Sequence, residues 1–563
     1  MRSQLQNLHL ASPRTSFVRA LMTVTLAFSV IAPSSAFAED ELLDLLGGGN
    51  TSNQKASAQE SSELRKLISS SNSGQKTGQT TAEQNIFIDA FEKGDMKSAL
   101  YQWPSAFESS AFAKTASGRA LNTLVLFRNG LKITALESLL AIESPEAISP
   151  VLVKMWQDAA PVTDNSWSLV QVANWNPFWT TSFGAATEIR VRSRQVYGSD
   201  KVDQLKELIK KTQVDTAERA WLSWQLVLAL STGDDAGTAA KALAVLMKAP
   251  NNPVSQDLLT ITAARLLFQN GFLDASVKYY EKIPKNSDYW FDAQEEIGWA
   301  YIRKGESQNT IAITKTLTVP EFVSQVGPEP LFLRSLAELK VCDYPSVVGT
   351  LNQFRDRYKG RAATLMALSD TTDSAAESKV VDSFIERSKK ERLTLKKLGK
   401  DATKLPRFVT RDEVLAQAVA TQSALEAEAK LAGDLYAKSA SAGTAQIGFQ
   451  ARLEEMKKAV EARALQARST SASRVKSLAQ EEVNEIAQIL QKLHIVEAEM
   501  LQQLSLSSRV ADATAGDKES MKVGTTGSKA KDRLTFPAEQ ETWFDELANY
   551  KVDIKKGCQA AKR

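Results

Sequence analysis

The feature that most constrains this chain is the scarcity of helix-breaking residues over its second half. Between Ser346 and Phe536 there is a single proline, Pro406, and no tryptophan. Proline removes a backbone donor and interrupts a helix, so a stretch with one proline can form very long helices. Apolar residues in this stretch step by three and four positions, and they include Leu453, Met456, Val460, Ile486, Leu490 and Leu493. This spacing predicts a coiled-coil seam.

We expect this seam to belong to a hairpin. The break "SAGT" (441–444) divides the stretch into two arms of nearly equal length, 374–441 and 445–507. Equal arms about one short turn favour an antiparallel pair, about 95 Å long at about 1.5 Å per residue. The sequence therefore predicts a coiled-coil hairpin over 374–507 that projects from the protein as a spacer or assembly arm. An intermolecular coil is the alternative and would make the protein an oligomer.

The sequence of residues 85–360 predicts shorter helices arranged in pairs. Apolar residues recur with helical spacing between turn signals such as Gly94-Asp95 and Asn129-Gly130, and strand signals are nearly absent. The fold class is therefore all-α. An aromatic cluster, "NWNPFWTTSFGAA" (174–186), fits buried packing better than a surface groove because its side chains are large.

An internal period appears within this region. The segments 257–287 and 292–320 align with an offset of about 34 or 35 residues, and 330–358 forms a looser third unit. These segments resemble tetratricopeptide (TPR) repeats, which implies a helical-hairpin solenoid. The resemblance assigns repeat packing to Ala263, Leu266, Gly271, Ala275, Tyr279, Gly298, Tyr301 and Gly305.

The N-terminus has the layout of a cleavable signal peptide. Three arginines precede the apolar stretch "ALMTVTLAFSVIA" (20–32), and "SAFA" supplies small residues before a cleavage site between Ala38 and Glu39. An uncleaved membrane anchor is the alternative, but the apolar stretch is short for a membrane span. We expect a periplasmic protein with residues 1–38 removed and no integral membrane segment left. Residues 39–84 are rich in Ser, Gln, Thr and Gly, and they predict a flexible tether.

Charge and composition argue against several classes of function. Without residues 1–38 the chain has 66 basic and 66 acidic side chains, so no net charge attracts it to nucleic acid. His494 is then the one histidine and has no partner for nucleophilic catalysis in view. The segment "GTTGSK" (524–529) lacks the ending of a phosphate loop. We expect no catalytic residues, no metal site and no cofactor. The basic segment 389–411 is interpreted as a solvated helix face.

The two cysteines suggest one disulfide bond in an oxidising compartment. We expect a flexible return segment over 508–535, followed by a C-terminal helix over 536–563 that packs back on the repeats. Its docking face comprises Trp543, Phe544, Leu547, Tyr550 and Ile554. Docking would bring Cys558 to Cys342 and close a loop of about 216 residues, for about 5 kcal/mol in loop-entropy models. Two unpaired thiols are the alternative.

Two segments carry a further resemblance. "LRSLAELKVCDYPSVVGTLNQFRDRY" and "FPAEQETWFDELANYKVDIKKGC" resemble tetratricopeptide-bearing envelope proteins of gliding and predatory bacteria, including those tied to adventurous gliding. The resemblance implies a non-enzymatic periplasmic scaffold that binds envelope proteins, in a motility or envelope-maintenance assembly. An oligomeric regulator of peptidoglycan synthesis or division is the alternative, and a cell-wall hydrolase or transferase is a third class. Neither the partners nor the oligomeric state follows from these residues.

Overall fold

The described part of this protein is built from helices alone. The computed structural model describes residues 58–71, 79–192, 199–370, 375–440 and 447–514, apart from 109, 171, 173–174, 213–215, 233–234, 251, 253, 320–321 and 323–324. No strand occurs among these residues, which confirms the all-α class.

The helices in chain order are α1 Ala58–Ser71, α2 Ala82–Glu92, α3 Met96–Phe107, α4 Ala111–Lys114, α5 Ala116–Arg128, α6 Lys132–Leu140, α7 Pro150–Ala159, α8 Pro177–Phe183, α9 Ala185–Arg192, α10 Val202–Lys211, α11 Ala217–Thr232, α12 Ala236–Leu246, α13 Gln256–Gln269, α14 Leu273–Tyr280, α15 Trp290–Lys304, α16 Ser307–Leu317, α17 Glu329–Lys340, α18 Tyr344–Ser369, α19 Ala375–Ser388, α20 Leu395–Leu398, α21 Glu413–Ala440 and α22 Ile447–Thr514. Short 3-10 turns occupy Pro145–Ala147, Asn165–Ser168, Ser199–Lys201 and Gly399–Thr403.

Many of the helices before residue 370 form pairs joined by short turns. The paired helices are α2 with α3, α5 with α6, α11 with α12, α13 with α14, α15 with α16, and α17 with α18. Consecutive pairs also pack on each other, since α14 contacts α15 and α16 contacts α17. The three pairs from α13 to α18 are called the repeats below. Buried apolar residues therefore continue from one pair to the next in a row.

Five of the turns between paired helices contain a residue in the left-handed conformation. These residues are Gly94, Gly130, Gly271, Gly305 and Cys342, with φ of 77°, 91°, 82°, 80° and 58°. Gly271 and Gly305 thus lie at the predicted turns. Glycine adopts this conformation without steric cost, whereas a side chain at Cβ makes it unfavourable. Cys342 is the one non-glycine residue with positive φ in the described chain.

Small buried residues keep a fixed distance from these turns. Five positions after each left-handed residue lies a side chain with no exposed area, namely Ala99, Ala135, Ser276, Thr310 and Val347. Seven positions before the last three turns lie Ala264, Gly298 and Ser335, which are also buried. A Cβ on Gly298 would lie 3.4 Å from both Ile313 Cγ2 and Leu333 Cδ1. The small residue therefore lets α15 approach α16 and α17 closely.

The residues assigned to repeat packing differ from one another in burial. Leu266 and Gly298 are buried, whereas Ala263, Ala275, Tyr279 and Tyr301 are only half-buried. Their immediate neighbours Ala264, Ser276, Tyr280 and Ala300 lie in the core instead. The alignment behind the prediction paired residues 35 positions apart, but the turn glycines Gly271 and Gly305 are 34 apart.

Helices α21 and α22 form an antiparallel pair. The Lys457 ammonium lies 5.8 Å from the centre of the Tyr436 ring, Leu425 shares an apolar cluster with Ala464, and Arg474 pairs with Asp412 at 2.6 Å. Residues near the end of α21 contact residues near the start of α22, and residues near the start of α21 contact residues farther along α22. The two helices are therefore antiparallel. The 68 residues of α22 make a helix about 100 Å long.

The predicted arms of this hairpin are wrong in extent. Residues 374–441 do not form one helix, because α19 ends at Ser388 and α21 begins at Glu413. Between them, α20 and a 3-10 turn precede Pro406, which cannot donate a backbone hydrogen bond. The second helix continues past the predicted end, and residues 508–514 belong to α22 rather than to a flexible return segment.

The prediction that the hairpin projects from the protein is also wrong. Ala432, Leu435 and Leu453 belong to the apolar core of helices α1 to α9. Farther along, the stretch of α22 from Val475 to Met500 contributes buried residues to the core of α11 to α18. The apolar face of α22 is wide enough to contact both α21 and the repeats. The hairpin therefore packs along both halves of the chain.

Part of the predicted tether is folded. Leu64 and Ile68 of α1 are fully buried, and Arg65 pairs with Asp89 at 2.7 Å and with Glu92 at 3.0 Å. Leu64 and Ile68 are four positions apart, so they lie on one face of the helix although its other residues are rich in serine. The residues before 58 lie outside the described chain. None of the described helices combines the length and the apolar character needed to cross a membrane.

Candidate functional site

The contact between the hairpin and the repeats contains a group of buried and half-buried charged side chains, which we name the charge cluster. It comprises Glu295 on α15, Glu329 at the start of α17, Arg361 on α18, Arg407 before α21, and Glu482 and Glu485 on α22. Five separate stretches of the chain thus contribute charged side chains to the cluster. Such an arrangement needs close pairing, because an unpaired buried charge is strongly unfavourable.

Arg407 is the central cation of the charge cluster. Its Nη2 donates to both carboxylate oxygens of Glu485, at 2.7 and 2.9 Å. Its backbone N–H donates to Oε2 of Glu482 at 2.9 Å. A Cβ on Gly327 would lie 1.9 Å from Nη1, so the guanidinium packs directly on the loop before α17. Arg407 therefore joins the segment before α21 to α22 through both its side chain and its backbone, and its guanidinium also contacts the loop before α17.

Arg361 is the second cation. Its Nε and Nη2 donate to the two oxygens of Glu482 at 2.9 and 3.0 Å, a bidentate geometry that favours a strong pair. Its remaining donors reach the carbonyl oxygens of Thr403 at 2.6 Å and Leu405 at 2.7 Å. Arg361 thus fixes α18, the segment before α21, and α22 relative to one another.

The two other carboxyl groups lie on the repeat side. The indole N–H of Trp299 donates to Oε1 of Glu329 at 3.0 Å, and Glu329 is buried. Burial, and then the charge of Glu329, raise the pKa of Glu295 well above its usual range. Burial also raises the pKa of Glu485, although Arg407 opposes the shift.

The sequence interpretation missed the charge cluster, but a signal for it exists. Buried positions along α22 alternate by four and three residues, through Val475, Ala479, Glu482, Ile486, Ile489, Leu493, Val496 and Met500. Glu482 therefore occupies a seam position in an otherwise apolar heptad pattern. A charged residue at a seam position indicates a buried partner. Arg407 lies in the basic segment 389–411, whose interpretation as a solvated face is wrong for this residue.

A second contact fixes the hairpin to the N-terminal helices. Helix α6 begins after Leu131, whose side chain cannot cap it. Glu428 of α21 supplies the cap: its Oε1 accepts from the Ile133 N–H at 2.5 Å, and its Oε2 accepts from the Thr134 N–H at 3.2 Å and hydroxyl at 2.7 Å. Arg463 of α22 contacts the same turn, donating to the Thr134 hydroxyl at 3.2 Å. The first turn of α6 is thus capped from elsewhere in the chain.

We expect Glu428→Ala to lower the free energy of unfolding by about 1–3 kcal/mol, because it leaves buried donors of α6 without an acceptor. Urea denaturation followed by circular dichroism measures the change. Glu454→Ala is the control on α22, since the Glu454 side chain is 44% exposed and pairs with Lys458 one turn away, and we expect it to leave the stability nearly unchanged. Equal stability of the two variants would contradict the capping role of Glu428.

Several predicted site residues lie outside the described residues. These are Cys558, the cleavage-site residues Ala38 and Glu39, and the docking face Trp543, Phe544, Leu547, Tyr550 and Ile554. Pairing of Cys342 with Cys558 and docking of the C-terminal helix therefore stay predictions. His494 is exposed on α22. Trp179 of the aromatic cluster is buried against Phe178 and Phe183, as expected for packing.

Comparisons were made with protein-family models, with curated proteins and with solved structures. None of the three yields a match to this chain. The candidate site therefore depends on its own geometry. In the described residues, no group of three or more histidine, cysteine, aspartate or glutamate side chains is arranged to hold a metal ion.

Proposed function

We propose that this chain is a non-enzymatic scaffold of the cell envelope that binds protein partners through tetratricopeptide-like helix pairs. The observation that supports the proposal is the repeated arrangement of left-handed turns and small buried residues along the paired helices. Rows of such pairs present an extended surface suited to partner segments. A motility or envelope-maintenance assembly is the context that the sequence resemblance suggests.

The role of the hairpin in this proposal differs from that of a free arm. Contacts of α22 with α3 in the N-terminal half and with α17 and α18 in the C-terminal half make it an internal brace. A brace between the two ends of a row of repeats restricts the bending that such rows undergo. We propose that it holds the repeat surface in one curvature for its partners.

Export and partner binding can be tested in the same cells. We expect N-terminal sequencing of the protein from the periplasmic fraction to begin at Glu39. A photo-crosslinking amino acid replaces Phe272, which is 63% exposed at the turn between α13 and α14. The matched control places it at Leu465, which is 69% exposed on α22. Adducts with envelope proteins at position 272 but not at 465 support the proposal, whereas a cytoplasmic protein with no adduct at either position contradicts it.

We also propose that Cys342 pairs with Cys558. The left-handed turn before α18 would accept glycine more readily, as the other turns do, so the backbone does not account for a cysteine at this position. A requirement for the thiol does account for it. Peptide mapping of the exported protein without reductant tests the pair: a linked peptide containing both cysteines is expected, and two free thiols would contradict it.

A further inference from the structure

Helix α18 and the last part of α22 meet along an exposed edge, which we name the α18–α22 junction. The Tyr344 hydroxyl donates to Oε1 of Gln503 at 3.2 Å, and Nη2 of Arg355 donates to the Glu497 carboxylate at 2.9 and 3.2 Å. Residue numbers rise along α18 as they fall along α22, so the two helices are antiparallel. The junction begins beside Cys342, which lies two residues before Tyr344.

Large apolar side chains are exposed at this junction. Val348 lies four positions after Tyr344 and is 44% exposed, and Leu501 lies four positions after Glu497 and is 58% exposed. Residues four positions apart share a helix face, so Val348 and Leu501 both lie on the edge where the two helices meet. Leu504, three positions after Leu501, is also exposed on that face. The junction therefore offers an apolar strip on which a third amphipathic helix can pack.

The chain itself contains a segment that fits this strip, outside the part that the structure describes. Its apolar residues recur with helical spacing, at Trp543, Phe544, Leu547, Tyr550 and Ile554. From Thr514, where α22 ends, the return to the level of Leu501 is about 20 Å at about 1.5 Å per residue. An unfolded chain as long as 515–542 has an average end-to-end distance of about 30 Å. The connection thus matches the distance and gives the segment a high effective concentration at the strip.

We propose that residues 543–554 dock on the α18–α22 junction and cover Val348 and Leu501. Helices α17 and α18 form the last pair of the repeats, and the end of such a row needs an element that covers its exposed apolar surface. The docked segment supplies this cover on the side of α18 that faces α22.

The orientation of the docked segment rests on the pairing of Cys342 with Cys558 proposed above. Cys342 lies six residues before Val348, and Cys558 lies four residues after Ile554. A bond between the two sulfur atoms therefore places the end of the segment at the start of α18. The segment then runs antiparallel to α18, with Ile554 near the apolar strip.

The test places a photo-crosslinking amino acid at one position at a time in the full-length protein, purified without reductant. At Val348 and at Leu501 we expect adducts within one chain to peptides that contain residues 543–554, identified by mass spectrometry. Ile495 is the matched control, because it is 45% exposed on α22 but lies two residues before Glu497 and so on the opposite side of the helix. No adduct to this segment is expected there. A mixture with isotope-labelled protein separates adducts within a chain from adducts between chains.

A pair of substitutions separates apolar docking from tethering by the disulfide bond. With the crosslinker at Val348, Leu501→Asp should lower the adduct yield about tenfold, because docking would bury a carboxylate in place of an apolar side chain. Ile495→Asp should leave the yield unchanged. An undiminished yield in Leu501→Asp would overturn the proposal, since the tether alone would then account for the adduct.

The remaining outcomes distinguish the docking from the proposed cysteine pair. Two free thiols together with an adduct at Leu501 would contradict the pair and support the docking. A linked peptide containing Cys342 and Cys558 without an adduct at either Val348 or Leu501 would support the pair and overturn the docking. Adducts that form only between chains would also overturn it, because a second copy of the chain would then cover the strip.

Discussion

Replacing Arg407 with methionine should lower the free energy of unfolding by about 3–5 kcal/mol, because it leaves buried carboxylates without their cation. Methionine retains most of the apolar stem, so the loss reports on the guanidinium. Glu485 loses the Nη2 donor that reaches both of its oxygens, and Glu482 loses a nearby positive charge. Urea denaturation at neutral pH measures the loss.

Two further variants show whether charge pairing accounts for the effect. Arg392→Met removes a guanidinium that is 80% exposed, with Asp288 at 3.4 Å, and should leave the stability nearly unchanged. Replacing Glu485 with methionine in the Arg407→Met background should recover part of the loss, since well-packed apolar groups can replace a buried ion pair. If Arg407→Met were as stable as Arg392→Met, the charge cluster would not hold the hairpin.

Gly118→Ala should destabilise the protein by about 3 kcal/mol, at the upper end of overpacking effects. A Cβ at this position would lie 1.9 Å from the carbonyl oxygen of Phe112, a backbone atom that cannot move freely. That oxygen accepts from the N–H and the hydroxyl of Thr115 at 3.0 and 2.7 Å, and Phe112 is buried in the N-terminal core. Thermal and urea unfolding both measure the change.

Replacing glycine with alanine should instead raise the stability at two other positions. Gly349 and Gly360 lie inside α18, and no atom comes within 4 Å of a Cβ built on either. Alanine is favoured over glycine in a helix interior by about 0.5–1 kcal/mol, so Gly349→Ala and Gly360→Ala should each stabilise the protein. Destabilisation by all three substitutions would contradict the assignment of Gly118 to a close backbone contact.

Features encoded by neighbouring residues were predictable from the sequence. Gly271 and Gly305 lie at left-handed turns because helix-ending glycines follow local backbone chemistry. The apolar steps of three and four predicted a long helix, and α22 is one. Helix α1 was missed because Leu64 and Ile68 are too few to be conspicuous, and their burial depends on α2 and later helices.

The candidate site was not predictable in the same way, since it depends on residues that are distant in sequence. Nothing near Arg407 distinguishes it from the other basic residues of 389–411; its burial is due to Glu482 and Glu485, more than 70 positions later. A projecting arm is compatible with the sequence because a heptad pattern shows which residues of a helix are buried. It does not show which other helices cover them. Here the repeats cover the part of α22 that α21 does not.

The capping of α6 by Glu428 has a consequence for the order in which the chain folds. Ile133 and Glu428 are 295 residues apart, and the apolar cluster at Ile133 and Leu169 also needs Leu425 and Ala464. Closing so long a loop costs about 5 kcal/mol of chain entropy before the contact can form, and distant contacts of this kind slow folding. The N-terminal helices are synthesised first, but their apolar core is complete only after the start of α22 has been synthesised. A chain that stops at residue 360, where the sequence suggested a domain boundary, would leave α6 uncapped and its neighbours incompletely buried.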